Sequence, residues 1–204
     1  MINLLLVYEM IDDKHKFIFI HIPKTGGTSI LNFFKSDDMN SVSSHWRKYD
    51  ASEYTDYFKF TFVRNPYDKF VSEYEWRNKQ KHYHRRHYDI QGNISFKECC
   101  NKLLQGKLDS MYPQMEKIHL WSQHKLLEHA LDSCDDLNYI GRFENLQEDF
   151  NIICAKIGIP HRKLPHINKS KRKHYTEYYD DETRQIITDI YAKDIKYFKY
   201  KFGE

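Results

Sequence analysis

Four apolar residues, Phe17-Ile18-Phe19-Ile20, run into His-Ile-Pro-Lys-Thr-Gly-Gly-Thr-Ser and then into an apolar helical pattern at Ile30, Leu31, Phe33 and Phe34. Few folds accommodate that order. A short continuous run of aromatic and β-branched residues suits a strand buried on both faces, as in a parallel sheet. Pro23 stops the strand, and Gly26-Gly27 lets the main chain turn and approach a ligand closely. Thr28 and Ser29 favour a helix N-terminus. Strand end, glycine turn and helix start then present free N–H groups and the positive end of a dipole, which is a cradle for an anion. Lys24 adds a cation, and the Thr28 and Ser29 hydroxyls add donors. The lysine precedes both glycines, so the pattern differs from G-x-x-x-x-G-K-[ST]. The competing reading is a plain strand–turn–helix junction with a solvated lysine. The concentration of Pro, Lys, two Gly, Thr and Ser in one stretch disfavours it.

Further along, Phe58–Val63 (FKFTFV) is rich in β formers and reads as a second core strand. It ends at Arg64-Asn65-Pro66. Asn65 is a natural N-cap, Pro66 suits the first helical position, and Asp68 complements the dipole. Phe70, Val71 and Tyr74 carry that helix to about Arg77. Ser95-Phe96-Lys97-Glu98 is a capping-box pattern opening a helix through Leu104. Met115–Ala130 reads as helical, Tyr139–Phe143 as a third strand, and Asn145–Ile157 as a helix closed by Gly158. Asp181–Phe202 reads as one long amphipathic helix with Ile186, Ile187, Ile190, Tyr191, Ile195 and Phe198 inward. Strands alternating with helices predict an α/β fold, a three-layer P-loop-like domain with a central parallel sheet flanked by helices. The 204 residues suit a single domain, 1–204.

Composition narrows the partners. Sixteen Tyr and thirteen Phe argue against disorder, and a net charge of +3 gives no whole-chain basic character, so nucleic acid is not an expected partner. Basic residues instead cluster at His82–His87 and Lys169–Lys173, two patches suited to facing anions. His82, His84 and His87 make a weak metal set, with no carboxylate or cysteine suitably placed. Cys99, Cys100, Cys134 and Cys154 lack zinc-ligand spacing and are expected as free thiols. Leu4–Val7 is too short to span a membrane and follows no basic region. The expectation is a soluble chain with no transmembrane segment, cytoplasmic, or lumenal in the Golgi if it is part of a longer protein.

Arg64 stands at the end of a core strand and Ser72 about two turns into the next helix. Ligands of open α/β sheets bind at such strand ends. Lys24/Thr28 and Arg64/Ser72 can therefore grip two anionic groups of one ligand. HIPKTGGTS followed by FTFVRNPYDKFVSEY resembles the sulfotransferases that use 3′-phosphoadenosine 5′-phosphosulfate (PAPS), in the branch of the carbohydrate sulfotransferases. The similarity continues through Tyr112-Pro113-Gln114, Tyr139–Leu146 (YIGRFENL) and Asn168–Lys171. By that resemblance Lys24, Thr25, Gly26, Gly27, Thr28 and Ser29 hold the 5′-phosphosulfate, and Arg64 and Ser72 hold the 3′-phosphate. Arg142 and Lys171 close over the nucleotide.

The implied reaction transfers the sulfuryl group to a hydroxyl or amine of a carbohydrate-type acceptor, with PAP as product. Basic patches are compatible with an acidic sugar. In-line displacement asks the protein for positioning and charge stabilisation, which suits Lys24 at the bridging oxygen and requires no metal. It also asks for a base. His45, between the two motifs, is the first candidate, Glu53 the next and His21 the third. For His45, a surface histidine beside Trp46 is an equal reading. For His21, a structural place under the loop is the stronger one. Two other functions stay open on sequence: a P-loop kinase-like phosphotransferase, and an inactive nucleotide- or glycan-binding module.

Overall fold

The computed structural model describes residues 8–36, 43–44, 54–80, 94–108, 114–131, 133–165, 167 and 172–204. Along the chain run β1 (Tyr8–Asp12), β2 (Phe17–His21), α1 (Gly27–Ser36), β3 (Ser43–Ser44), β4 (Phe58–Val63), α2 (Pro66–Gln80) and α3 (Phe96–Leu104). Then follow α4 (Gln123–Ala130), β5 (Tyr139–Arg142), α5 (Leu146–Lys156), α6 (Asp181–Ile190) and α7 (Ala192–Tyr197). These elements fall into two compact units, Met1–Arg64 with Gln123–Lys169, and Asn65–Ser122 with Ser170–Glu204.

The first unit holds a sheet of order β3-β1-β2-β4-β5. Its functional core is parallel: β2 pairs with β4, and β4 with β5. The strands β1 and β3 extend it in the antiparallel sense. The strand β1 is an addition to the sequence expectation. Tyr-Glu-Met-Ile-Asp carries two acids in five residues and gives only a weak apolar signal, yet Met10 is buried. Phe17, Phe19, Phe60 and Phe62 project from one face of the sheet into a cluster with Ile30, Phe33 and Phe34 of α1 and Phe150 and Ile153 of α5. Ile18 and Ile20, on the alternate positions, are also fully buried, so helical layers are needed on both faces. Register at the start of β5 is set by Asn138. Its side chain accepts from the Lys59 amide at 2.7 Å, and its own amide donates to the Lys59 carbonyl at 2.8 Å.

The second unit is helical. Tyr67, Phe70 and Val71 of α2 pack with Phe96, Cys99 and Cys100 of α3, with Ile186 and Ile187 of α6, and with Tyr191. Asn65 caps α2, accepting from the Tyr67 amide at 3.2 Å, and its side-chain amide donates to the Lys201 carbonyl. Ser95 caps α3 by accepting from the Glu98 amide at 3.1 Å. Two helical expectations are subdivided. Met115–Ala130 is a 3₁₀ segment, Gln114–Leu120, followed by α4. Asp181–Phe202 is two helices, because Tyr191 leaves helical geometry at φ −106° and ψ 23°. Its hydroxyl donates to the Leu120 carbonyl at 2.7 Å, a long-range anchor that no local breaker residue announces. All four cysteines are free and buried, and burial raises the thiol pKa of Cys154 to about 11 and of Cys99 to about 12.

Candidate active site

The turn after β2 is held by its own residues. The Thr25 hydroxyl donates to the Ile22 carbonyl at 2.8 Å and is fully buried. Lys24 sits at φ +70° and Gly26 at φ +90°. The left-handed region costs an L-residue such as Lys roughly 1–2 kcal/mol, so the surroundings must impose it. The Gly26 carbonyl accepts from the Ser29 amide at 3.0 Å and the Ile30 amide at 3.4 Å, closing the first turn of α1. The N–H groups of Gly27 and Thr28 stand ahead of that closure, where a helix has no carbonyl to offer them. A side chain at Gly27 would place Cβ 1.9 Å from Cδ2 of His21, so the imidazole lies directly against the start of α1. That ring stacks on Phe19, with centroids 5.8 Å apart.

Arg64 joins this loop to the end of β4. It is buried, its guanidinium carbon lies 3.8 Å from the centroid of the Phe143 ring, and Nη1 donates to the Lys24 carbonyl at 2.9 Å. Its main chain is fixed as well: the Arg64 amide donates to Gln123 Oε1, and Gln123 Nε2 donates to the Arg64 carbonyl, both at 2.8 Å. At the end of β5, the Arg142 amide donates to Asp149 Oδ2 at 2.6 Å, and the Tyr139 hydroxyl to Asp149 Oδ1 at 2.9 Å. Burial and this carboxylate together push the Tyr139 hydroxyl up to about 12. The Lys24 loop, Arg64 and Arg142 thus occupy the carboxyl ends of three adjacent parallel strands. That edge is where α/β sheets bind ligands. The donor set there, orphan N–H groups, a helix N-terminus, a lysine and two arginines, is matched to phosphate or sulfate.

A sequence model described as the sulfotransferase family matches residues 9–201. The chain belongs to the sulfotransferase family. Human carbohydrate sulfotransferase 9 is 28% identical over 236 residues, an alignment covering 93% of this chain and 52% of that enzyme. Carbohydrate sulfotransferase 11 of Rattus norvegicus is 23% identical, with 96% of this chain and 67% of the relative covered. The chain thus spans about half the length of the first relative. Among solved structures, a sulfotransferase from Alicyclobacillus acidocaldarius overlays on 72% of this chain and 54% of its own, with 16% identity and a TM-score of 0.44.

Of the site residues expected from the sequence, Lys24, Thr25, Gly26, Gly27, Thr28, Ser29, Arg64 and Arg142 share the carboxyl edge of the sheet in the first unit. Ser72 is half-buried on α2 in the second unit. His45, Glu53 and Lys171 lie outside the described residues, as do His82–His87. The His21 ring lies against Gly27 at the start of α1. Three contributors escaped the sequence reading: Gln123, Phe143 as a platform for Arg64, and Asp149 as the anchor of Arg142. Only Phe143 carried a signal, within the YIGRFENL block. Among the described residues no group of three or more His, Cys, Asp or Glu is placed to hold a metal ion, and no helix is long and apolar enough to cross a membrane.

Proposed function

We propose that the chain transfers a sulfuryl group from PAPS to a hydroxyl or amine of a carbohydrate-type acceptor, by in-line displacement. The family supplies the reaction class. The observation that carries it to residues is the bond from Arg64 Nη1 to the Lys24 carbonyl, which holds one anion-binding motif against the other. Two carbohydrate sulfotransferases among the relatives support the acceptor class. The single family match across 9–201 supports one sulfotransferase domain.

PAPS supplies a sulfuryl group on a phosphate leaving group. The cradle fits such an anion, because Gly27 has no Cβ to displace the start of α1 and the Gly27 and Thr28 amides remain available to it. Gly26, Gly27, Thr28 and Ser29 hold the 5′-phosphosulfate, with Thr25 contributing main chain because its hydroxyl is engaged by Ile22. Lys24 neutralises charge on the bridging oxygen as it departs. Arg64 and Ser72 bind the 3′-phosphate, and Arg142 and Lys171 close on the nucleotide. Lysine and helix N–H groups suffice for the leaving group, so turnover is expected to survive EDTA.

The test is incubation with PAPS and a panel of neutral and acidic oligosaccharides, following PAP release and sulfated product. Transfer from PAPS supports the reading. Transfer from ATP that needs Mg²⁺ points to a phosphotransferase instead, and PAP binding without turnover points to an inactive module.

A further inference from the structure

His21 is the last residue of β2, just before the turn that makes the anion cradle. Strand alternation puts it on the same face as Phe19. The two rings stack at 29° between planes, with centroids 5.8 Å apart. Phe19 is fully buried, so the stack fixes the plane of the imidazole. Nδ1 is turned inward, out of water. The opposite edge points at α1. Cδ2 and Nε2 stand 1.9 Å and 2.1 Å from where a Cβ on Gly27 would be, so the imidazole fills the space a side chain there would take. Nε2 thus lies against the first residue of α1, whose amide belongs to the cradle with that of Thr28. His21, Lys24, Gly27 and Arg64 all belong to the first unit.

A titratable ring in that place is favoured in different charge states with and without an anion. With the cradle empty, the positive end of α1 works against an imidazolium, and α1 has no acid in its first turn to offset it. A phosphate oxygen in the cradle reverses the sign, because an opposite charge nearby favours the protonated ring. A lone pair on Nε2 would instead face that oxygen as acceptor against acceptor. The surrounding elements carry these charged and titratable groups. Tyr8 stands opposite His21 in β1, Lys24 is in the loop, and Arg64 ends β4 and donates to the Lys24 carbonyl. Arg142 and Glu144 flank Phe143, which packs on Gly26 with Leu146. Glu144 is exposed, where solvent screens it, and the cations act in the same sense as the helix.

We propose that His21 is a proton-linked ligand of the 5′-phosphate end of the nucleotide: Nε2 donates to the anion as an imidazolium, and binding takes up a proton at this ring. This rests on the PAPS reading of the cradle. Binding and protonation then assist each other by the same factor. The sign follows. The bound ring is charged where the free ring is neutral, so affinity is greatest at the acid side of that window and falls as pH rises through it.

Calorimetry of PAP binding to the full chain, in two amine buffers of different ionisation enthalpy, counts the protons exchanged. At about pH 7.5 the phosphates of PAP are already dianionic, since their second ionisation lies at about 6. Wild type is expected to take up about 0.3–1 proton per PAP there, and to bind PAP about three- to tenfold more weakly at about pH 8.5 than at about pH 7. Adenosine 5′-phosphate should show the same uptake and adenosine 3′-phosphate none. His21→Gln, whose amide keeps a donor and does not titrate, should bind PAP without proton uptake and with an affinity independent of pH. PAP binding by wild type with no proton uptake overturns the assignment and leaves the PAPS reading standing. So does uptake that persists in His21→Gln, or equal uptake with adenosine 3′-phosphate. If that variant does not fold, the wild-type titrations with the three nucleotides decide. A wild-type chain that binds no PAP fails the reading of the cradle and takes this assignment with it.

Discussion

Gly27→Ala is the smallest change that tests the architecture of the anion cradle. An added Cβ would stand 1.9 Å from Cδ2 and 2.1 Å from Nε2 of His21, far inside contact distance. The ring has little room to retreat. It stacks on Phe19, which is fully buried and itself stacks on Phe60 with centroids 5.1 Å apart. Overpacking of this kind costs about 1–3 kcal/mol. For a chain of this length each kcal/mol lowers Tm by about 2–4 °C, so the variant should melt roughly 2–12 °C below wild type. The alternative response is for α1 to back away, which would pull its N–H groups off the anion and weaken PAP binding. A double-mutant cycle with His21→Ala isolates the cause. Removing the ring removes the clash, so Gly27→Ala should cost less in that background, with a coupling of about 1 kcal/mol or more. Scanning calorimetry of the four proteins and titration with PAP read both effects. A Gly27→Ala protein with unchanged Tm and unchanged PAP affinity would refute the argument. So would a cycle that is additive.

Lys24 should separate charge from conformation. Lys24→Ala and Lys24→Gly both remove the cation and should lower kcat more than PAP affinity, while Lys24→Gly should be the more stable by about 1 kcal/mol, because φ +70° suits glycine; equal stabilities would count against the imposed backbone. Arg64→Ala leaves the Lys24 carbonyl without that donor and should cost about 1–3 kcal/mol, and it should narrow the preference for PAP over adenosine 5′-phosphate measured by calorimetry. An unchanged preference would remove Arg64 from the 3′-phosphate. Tyr139 has a folded-state pKa raised from about 10 to about 12 by burial and Asp149. Its contribution to stability is therefore complete below pH 10 and is lost as pH rises toward 12. Tyr139→Phe should remove that alkaline component from denaturation curves and one late-titrating phenol from the absorbance titration.

What the sequence disclosed follows how far each signal reaches along the chain. The bounds of β4, the Asn65 and Ser95 caps and the position of α5 are local statements, written in β formers, capping residues and a closing glycine, and the structure has them in place. The loop is local too, since Pro-Lys-Thr-Gly-Gly names its own turn. The strand β1 was hidden because Glu9 and Asp12 in five residues leave few apolar letters. The break at Tyr191 depends on a carbonyl 71 residues away, and the clamp on Arg64 on a glutamine 59 residues away. Neither distance is written in a window of sequence.

Arg64 links the two motifs of this member of the sulfotransferase family. A guanidinium facing only a ligand would need no partner within the protein. This one is buried, laid on Phe143, and spends a donor on the carbonyl of the residue that carries the other cation. That bond helps hold Lys24 in a backbone region an L-residue avoids. The main chain of Arg64 is in turn locked by Gln123, so the strand end cannot shift to release it. The conformation of the first motif is therefore built on the second. On the proposed function, an anion bound at Arg64 would meet a loop whose turn is already held in place, so little ordering would be left to occur on binding.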